Sequence, residues 1–250
     1  MGKVLWSIMI FIIMIIVMTI VMIYFLSGRK DEVKPTLTYA DIRPTLKTGD
    51  IIFFVCFDHE DKIGEMLYYC RTKLINSEYG HVGIVMRDGD KLYLIDCSDT
   101  NHSGEKYAIY LNNRKQGGVK IIDLDIMIRE YYNDNGGVFG VRYISREIIN
   151  SSMITSIIKH KDKIYESKTF LSIMMFIDVI LSHNIASKLV DRFVDYNKIY
   201  CSEMVYCILH DCGIVKEYPC KLFWPHLFNS NTFDDLLLVD YSDVIKFAYI

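Results

Sequence analysis

Three side chains in this sequence have the types needed for nucleophilic catalysis through sulfur: Cys201, His81 and Asp96. A thiol nucleophile needs a base within hydrogen-bond reach and a polar group that orients the base, and these can come from distant parts of a chain. His81 opens the apolar run Tyr79-Gly80-His81-Val82-Gly83-Ile84-Val85. Its β-branched residues suit a strand, and Gly80 and Gly83 leave room beside the ring for another backbone or a substrate. Asp96 ends the next apolar run, Leu92-Tyr93-Leu94-Ile95. The turn signal Arg87-Asp88-Gly89-Asp90 between the two runs predicts a β-hairpin. Cross-strand neighbours lie about 5 Å apart, close enough for a carboxylate to fix an imidazole tautomer. Cys201 falls where a helical stripe of Met204, Val205, Ile208, Leu209 and Cys212 begins, with Gly213 as its stop. The free N–H groups and dipole of a helix start favour a thiolate there. Each residue also has a plainer reading: a buried core cysteine, a hydrogen-bonded strand histidine, a turn-capping aspartate.

These residues need a scaffold, and the rest of the chain supplies one. Ile51-Ile52-Phe53-Phe54-Val55-Cys56-Phe57 reads as a buried strand, and Ile63, Met66, Leu67, Cys70 and Leu74 within 58–76 are spaced as a helix. Val119 to Ile122 and Val138 to Ile144 resume strand character around a helical stretch, Leu124 to Tyr132. Residues 150–194 read as helical, with Phe170 to Leu181 a core or surface-covering helix too short and interrupted to span a bilayer. The closing run, 244–250, reads as an edge strand, and Trp224-Pro225-His226 suggests no chemistry. Cys207, His210 and Cys212 look like a metal cluster but do not converge on one point of a helix, so they read as packing residues; no cofactor or metal is implied.

Composition narrows the class. A net charge of −3 with mixed signs and no basic block argues against a nucleic-acid groove. Seven cysteines without small-scaffold spacing argue against a disulfide framework and for a reducing compartment. Residues 4–26 are apolar except for Ser7 and Thr19, long enough to cross a hydrocarbon core of about 30 Å as a helix and longer than a signal-peptide core. The expectation is an uncleaved single-pass membrane anchor, a linker over 27–44 and one domain over 45–250. Arg29, Lys30 and Lys34 after the segment place that domain on the cytoplasmic side. The sequons Asn101-His102-Ser103 and Asn150-Ser151-Ser152 test that orientation, since they matter only on the lumenal side.

Together these pieces resemble the circularly permuted, papain-like branch of the NlpC/P60 superfamily, which includes lecithin retinol acyltransferase-like enzymes and small poxvirus proteins. The matching residues are Gly49-Asp50 before an apolar strand, His81-Val82-Gly83-Ile84, Asp96 ending the following strand, and Tyr200-Cys201-Ser202-Glu203. The order histidine, acid, cysteine is the permuted one, and the resemblance covers about Leu46 to Gly213. Asp96 stands where many members carry glutamate. The resemblance implies an α+β fold, an antiparallel sheet packed against helices, behind the N-terminal transmembrane helix. It also implies a cysteine hydrolase or acyltransferase acting on peptides or lipids, with viral members the most similar. The alternative is a catalytically inactive, membrane-tethered interaction protein of the same fold.

Overall fold

A computed structural model describes residues 35, 37–55, 77–99, 105–112, 117–135, 137–167 and 195–250, together with positions 16, 19, 170, 171, 174 and 178. The chain divides into two compact units, residues 35–56 with 79–250 and residues 1–34 with 57–78. Only positions 16, 19, 77 and 78 of the second unit are described, so every element below belongs to the first. The expected anchor, apart from positions 16 and 19, and the expected helix within 58–76 lie outside the described residues. Among the described residues no helix is long and apolar enough to cross a membrane.

The first unit is built on an eight-stranded mixed sheet. In chain order its strands are β1 (Leu37–Thr38), β2 (Ile51–Val55), β3 (Tyr79–Asp88), β4 (Lys91–Ser98), β5 (Ile109–Tyr110), β6 (Gly118–Asp123), β7 (Val138–Arg142) and, last in the chain, β10 (Ile245–Ala248). They lie side by side as β1-β10-β7-β2-β3-β4-β6-β5. Only β1 and β10 pair in parallel within this sheet. A separate parallel pair joins β8 (Ile164–Tyr165) to β9 (Lys198–Ile199). Helices among the described residues include α1 (Tyr39–Ile42), α2 (Leu124–Asn135), α3 (Asn150–His160), α4 (Cys201–Asp211) and α5 (Asn231–Leu236).

Burial explains this order. β2 is apolar at every position and buried at every position, as a central strand covered on both faces requires. On one face Ile52, Phe54, Val85, Leu92, Leu94, Ile122, Phe139, Val141 and Phe247 pack with Leu124, Met127, Ile128 and Tyr131 of α2. Strand alternation gives the other face Ile51, Phe53, Val82, Ile84, Ile95, Cys97 and Val119, all buried, and α4 lies against β3 and β4. Each such large side chain contributes about 1.5–3 kcal/mol by leaving water.

Three expectations change here. The linker over 27–44 ends earlier, because Tyr39 and Ile42 are buried in the core and β1 adds to the sheet. A capping box between Thr38 and Asp41 starts α1. The C-terminal strand β10 is interior, held between β1 and β7, because Phe247 stacks on Phe139 at 5.2 Å. Residues 150–194 are not helical throughout, since β8 interrupts them to pair with β9. The C-terminal segment also joins the core: Phe223, Phe228 and Phe233 form one aromatic cluster, and buried Arg142 donates to Asp234, 2.8 Å away, and to the Ser242 carbonyl, 2.7 Å away.

Candidate active site

The hairpin of β3 and β4 sets the first two residues. Gly89, at φ 58°, makes the turn, and the antiparallel register runs from Asp88 opposite Lys91 to Ile84 opposite Ile95. His81 Nε2 then lies 2.8 Å from Asp96 Oδ1, with both side chains almost wholly buried. Phe54 of β2 faces His81, but the next residue, Val55, pairs with Tyr79. Gly80 is thus an extra residue in β3, a bulge that re-aims the side chain beside it. The Phe54 ring lies 5.4 Å from the imidazole and is itself held by Tyr131 and Phe139. Gly83 has a different role from the one its position suggested. A Cβ there would meet Leu94 Cδ1 at 2.6 Å, so the space is filled by a core leucine and not by a substrate.

Cys201 is the first residue of α4, with Tyr200 as N-cap. The first internal bond of the helix runs from the Met204 N–H to the Tyr200 carbonyl, so the N–H groups of Cys201, Ser202 and Glu203 precede it. The Glu203 carboxylate accepts from the Tyr200 backbone, half of a capping box, and pairs with Lys221 at 2.8 Å. At the other end the Gly213 N–H donates to the His210 carbonyl and the Ile214 N–H to that of Leu209, a Schellman stop with Gly213 at φ 68°.

The Cys201 thiol hydrogen-bonds the His81 ring. With Nε2 turned to Asp96, Nδ1 is the nitrogen that serves the thiol. Burial alone depresses the imidazole pKa, but the charges on Asp96 and Cys201 and hydrogen bonds to both outweigh it, and His81 is held well above its ordinary 6.5. The structure therefore brings together all three residues that the sequence singled out. Cys201 keeps 5% of its surface exposed.

Sequence reasoning missed Lys120. It lies on β6 directly opposite Asp96, its side chain is fully buried, and Nζ is 3.5 Å from Asp96 Oδ2. One carboxylate oxygen thus faces the imidazole and the other an ammonium. The available signal was a lysine inside the apolar run Val119-Lys120-Ile121-Ile122. Burial also pushes the phenol of Tyr165, on β8, well above 10, so it stays protonated. Beside the thiol, Tyr200 stacks on Trp224 at 5.4 Å. With Phe170, Leu171 and Met174 these rings line an apolar recess with Glu166 and Lys221 at its polar edge.

The other expected motifs have structural work. Asp50 accepts from the Lys47 and Ile144 N–H groups at 2.8 Å each, fastening the turn before β2 to the chain after β7. The Asn150 amide donates to the Arg87 carbonyl at 2.7 Å and accepts from the Thr48 hydroxyl, so this sequon nitrogen is engaged in the fold. Asn101 lies outside the described residues. His210 is exposed on α4 and Cys212 is its C-cap, and neither joins a ligand cluster among the described residues.

The α+β unit thus places a strand histidine, a strand aspartate and a cysteine at a helix start together. A relative comes from a virus: the chain is 39% identical over 244 residues to Uncharacterized protein R372 of Acanthamoeba polyphaga mimivirus, covering 97% of this chain and 98% of that protein. The chain belongs to the same family as that mimivirus protein. No family model matches the sequence. The crystal structure of the metalloprotein yiiX from Escherichia coli O157:H7 overlaps 78% of this chain and 96% of its own, with 13% identity and a TM-score of 0.43.

Proposed function

We propose that this protein is a cysteine hydrolase or acyltransferase of the permuted papain-like type, acting on an amide, thioester or ester. The observation that carries the reading is the continuous contact from Asp96 through His81 to Cys201, at 2.8 Å between carboxylate and ring, with the thiol at a helix start. In this reading Cys201 Sγ attacks the carbonyl carbon as its proton passes to His81. The C–S bond forms as the carbonyl π pair moves onto oxygen, where N–H groups of the first turn of α4 stabilise it. Collapse expels the leaving group, which takes the proton from His81, and leaves an acyl-enzyme. Water or another acceptor, deprotonated by His81, then attacks the thioester carbon and frees Cys201. Asp96 holds the ring in the tautomer that presents Nδ1 to sulfur. The apolar segment 4–26 holds the domain against a bilayer in this proposal, which makes a lipid or a membrane-bound peptide the substrate. The mimivirus relative favours a viral setting.

A thiol-directed electrophilic probe on the full chain tests it. Labelling concentrates on Cys201 over the other cysteines and is lost in His81→Ala. Cys201→Ala and His81→Ala each abolish turnover, and the double variant is hardly worse, because members of one catalytic unit are non-additive. Labelling of Cys201 that is indifferent to His81→Ala in a folded variant sinks the proposal.

A further inference from the structure

Glu203 and Cys207 are four residues apart on α4 and so share one helix face. The turn Cys220–Leu222 brings Cys220 to the same place. One carboxylate oxygen and the two sulfurs all lie within 4.8 Å of one another, and Cys220 Sγ is 3.9 Å from Glu203 Oε1. In a tetrahedral zinc site, with Zn–S near 2.3 Å and Zn–O near 2.0–2.2 Å, ligand atoms stand about 3.5–3.8 Å apart. The three donors therefore stand within about 1 Å of that spacing. We infer that Glu203, Cys207 and Cys220 bind a thiophilic divalent cation of the zinc type, with water in the fourth position.

Three features support this. The cysteines are free thiols, half-buried beside a fully buried carboxylate, so a cation there is sheltered yet reachable. The turn is already fastened to the start of α4: the Tyr200 hydroxyl donates to the Lys221 carbonyl at 2.9 Å, and Lys221 Nζ donates to the Lys198 carbonyl at 2.7 Å. Charge also balances. Two thiolates and a carboxylate carry three negative charges, a dication leaves one, and Lys221, 2.8 Å from Glu203 Oε1, cancels it. Because Glu203 is two residues beyond Cys201, the cation would fix the first turn of the helix that bears the thiol. The inference does not depend on that thiol's chemistry.

The test uses the full chain, reduced and stripped of metal, in a Cys201→Ala background so that the thiol beside His81 does not contribute. Zn²⁺ titration gives one ion per chain and raises Tm, and Co²⁺ gives a thiolate-to-cobalt charge-transfer band. Cys207→Ser and Cys220→Ser each weaken that band, and the double variant loses it. In the unsubstituted reduced protein Zn²⁺ shields Cys207 and Cys220 from alkylation but not Cys212, a readout that needs no variant to fold. Absence of the band, its survival in the double variant, or equal alkylation with and without Zn²⁺ overturns the inference.

Discussion

Asp96→Asn separates the two neighbours of this carboxylate. Asparagine keeps an oxygen for one of them but removes the charge that offsets Lys120, whose ammonium is fully buried 3.5 Å away. At that separation and an effective dielectric of about 20, the attraction is about 5 kcal/mol. Removing one partner of a buried pair costs roughly 3–5 kcal/mol, because the survivor is left uncompensated. A domain is stable by only about 5–15 kcal/mol, so Asp96→Asn alone is expected to populate unfolded chain. Lys120→Met in the same protein removes the stranded charge and recovers more than half of the loss. Equilibrium urea unfolding at pH 7 of the wild type, both single variants and the double variant gives the coupling directly. If Asp96→Asn costs under about 1 kcal/mol, or the double variant is no more stable than Asp96→Asn, Lys120 is not the counter-charge argued here. Activity is then compared in Asp96→Asn/Lys120→Met, where loss of rate reflects imidazole orientation and not unfolding.

Further outcomes follow from the same contacts. His81 is held above its ordinary value, so the folded state binds more protons than the unfolded state above about pH 6.5; its contribution is complete below that pH and is lost as pH rises through the folded value. Stability therefore declines on the alkaline side, and His81→Gln flattens the decline; in kcat/KM the basic limb lies above 6.5 and moves down in Asp96→Asn/Lys120→Met. Asp50 is raised by burial to about 6, so its contribution is present at acid pH and lost between about pH 4 and 6, a slope that Asp50→Asn should remove from a stability–pH curve. Gly83→Ala should cost about 1–3 kcal/mol by overpacking against Leu94 and the Ile95 carbonyl, and the additional change Leu94→Ala should make the alanine at 83 less costly than it is alone.

The sequence by itself determined the local elements around the site. The two apolar runs between Tyr79 and Ile95 and the Arg87–Asp90 turn between them specify a hairpin with His81 and Asp96 on neighbouring strands, because strand-forming composition and turn chemistry are local properties. The stripe from Met204 to Cys212 with Gly213 behind it specifies a helix that starts at Cys201 for the same reason. Tertiary structure decided what no short window contains. That Cys201 meets His81 across 120 positions depends on how α4 lies against β3 and β4. That Lys120 is a buried partner depends on β6 pairing with β4, and an isolated lysine in an apolar run does not name its counter-charge. Gly83 yields its space to Leu94, and β10 enters the sheet interior because β1 pairs outside it, in a stretch whose polar, proline-containing composition reads as linker. Local periodicity fixes which residues can form an element, while the free energy of burying one element against another fixes which of them meet.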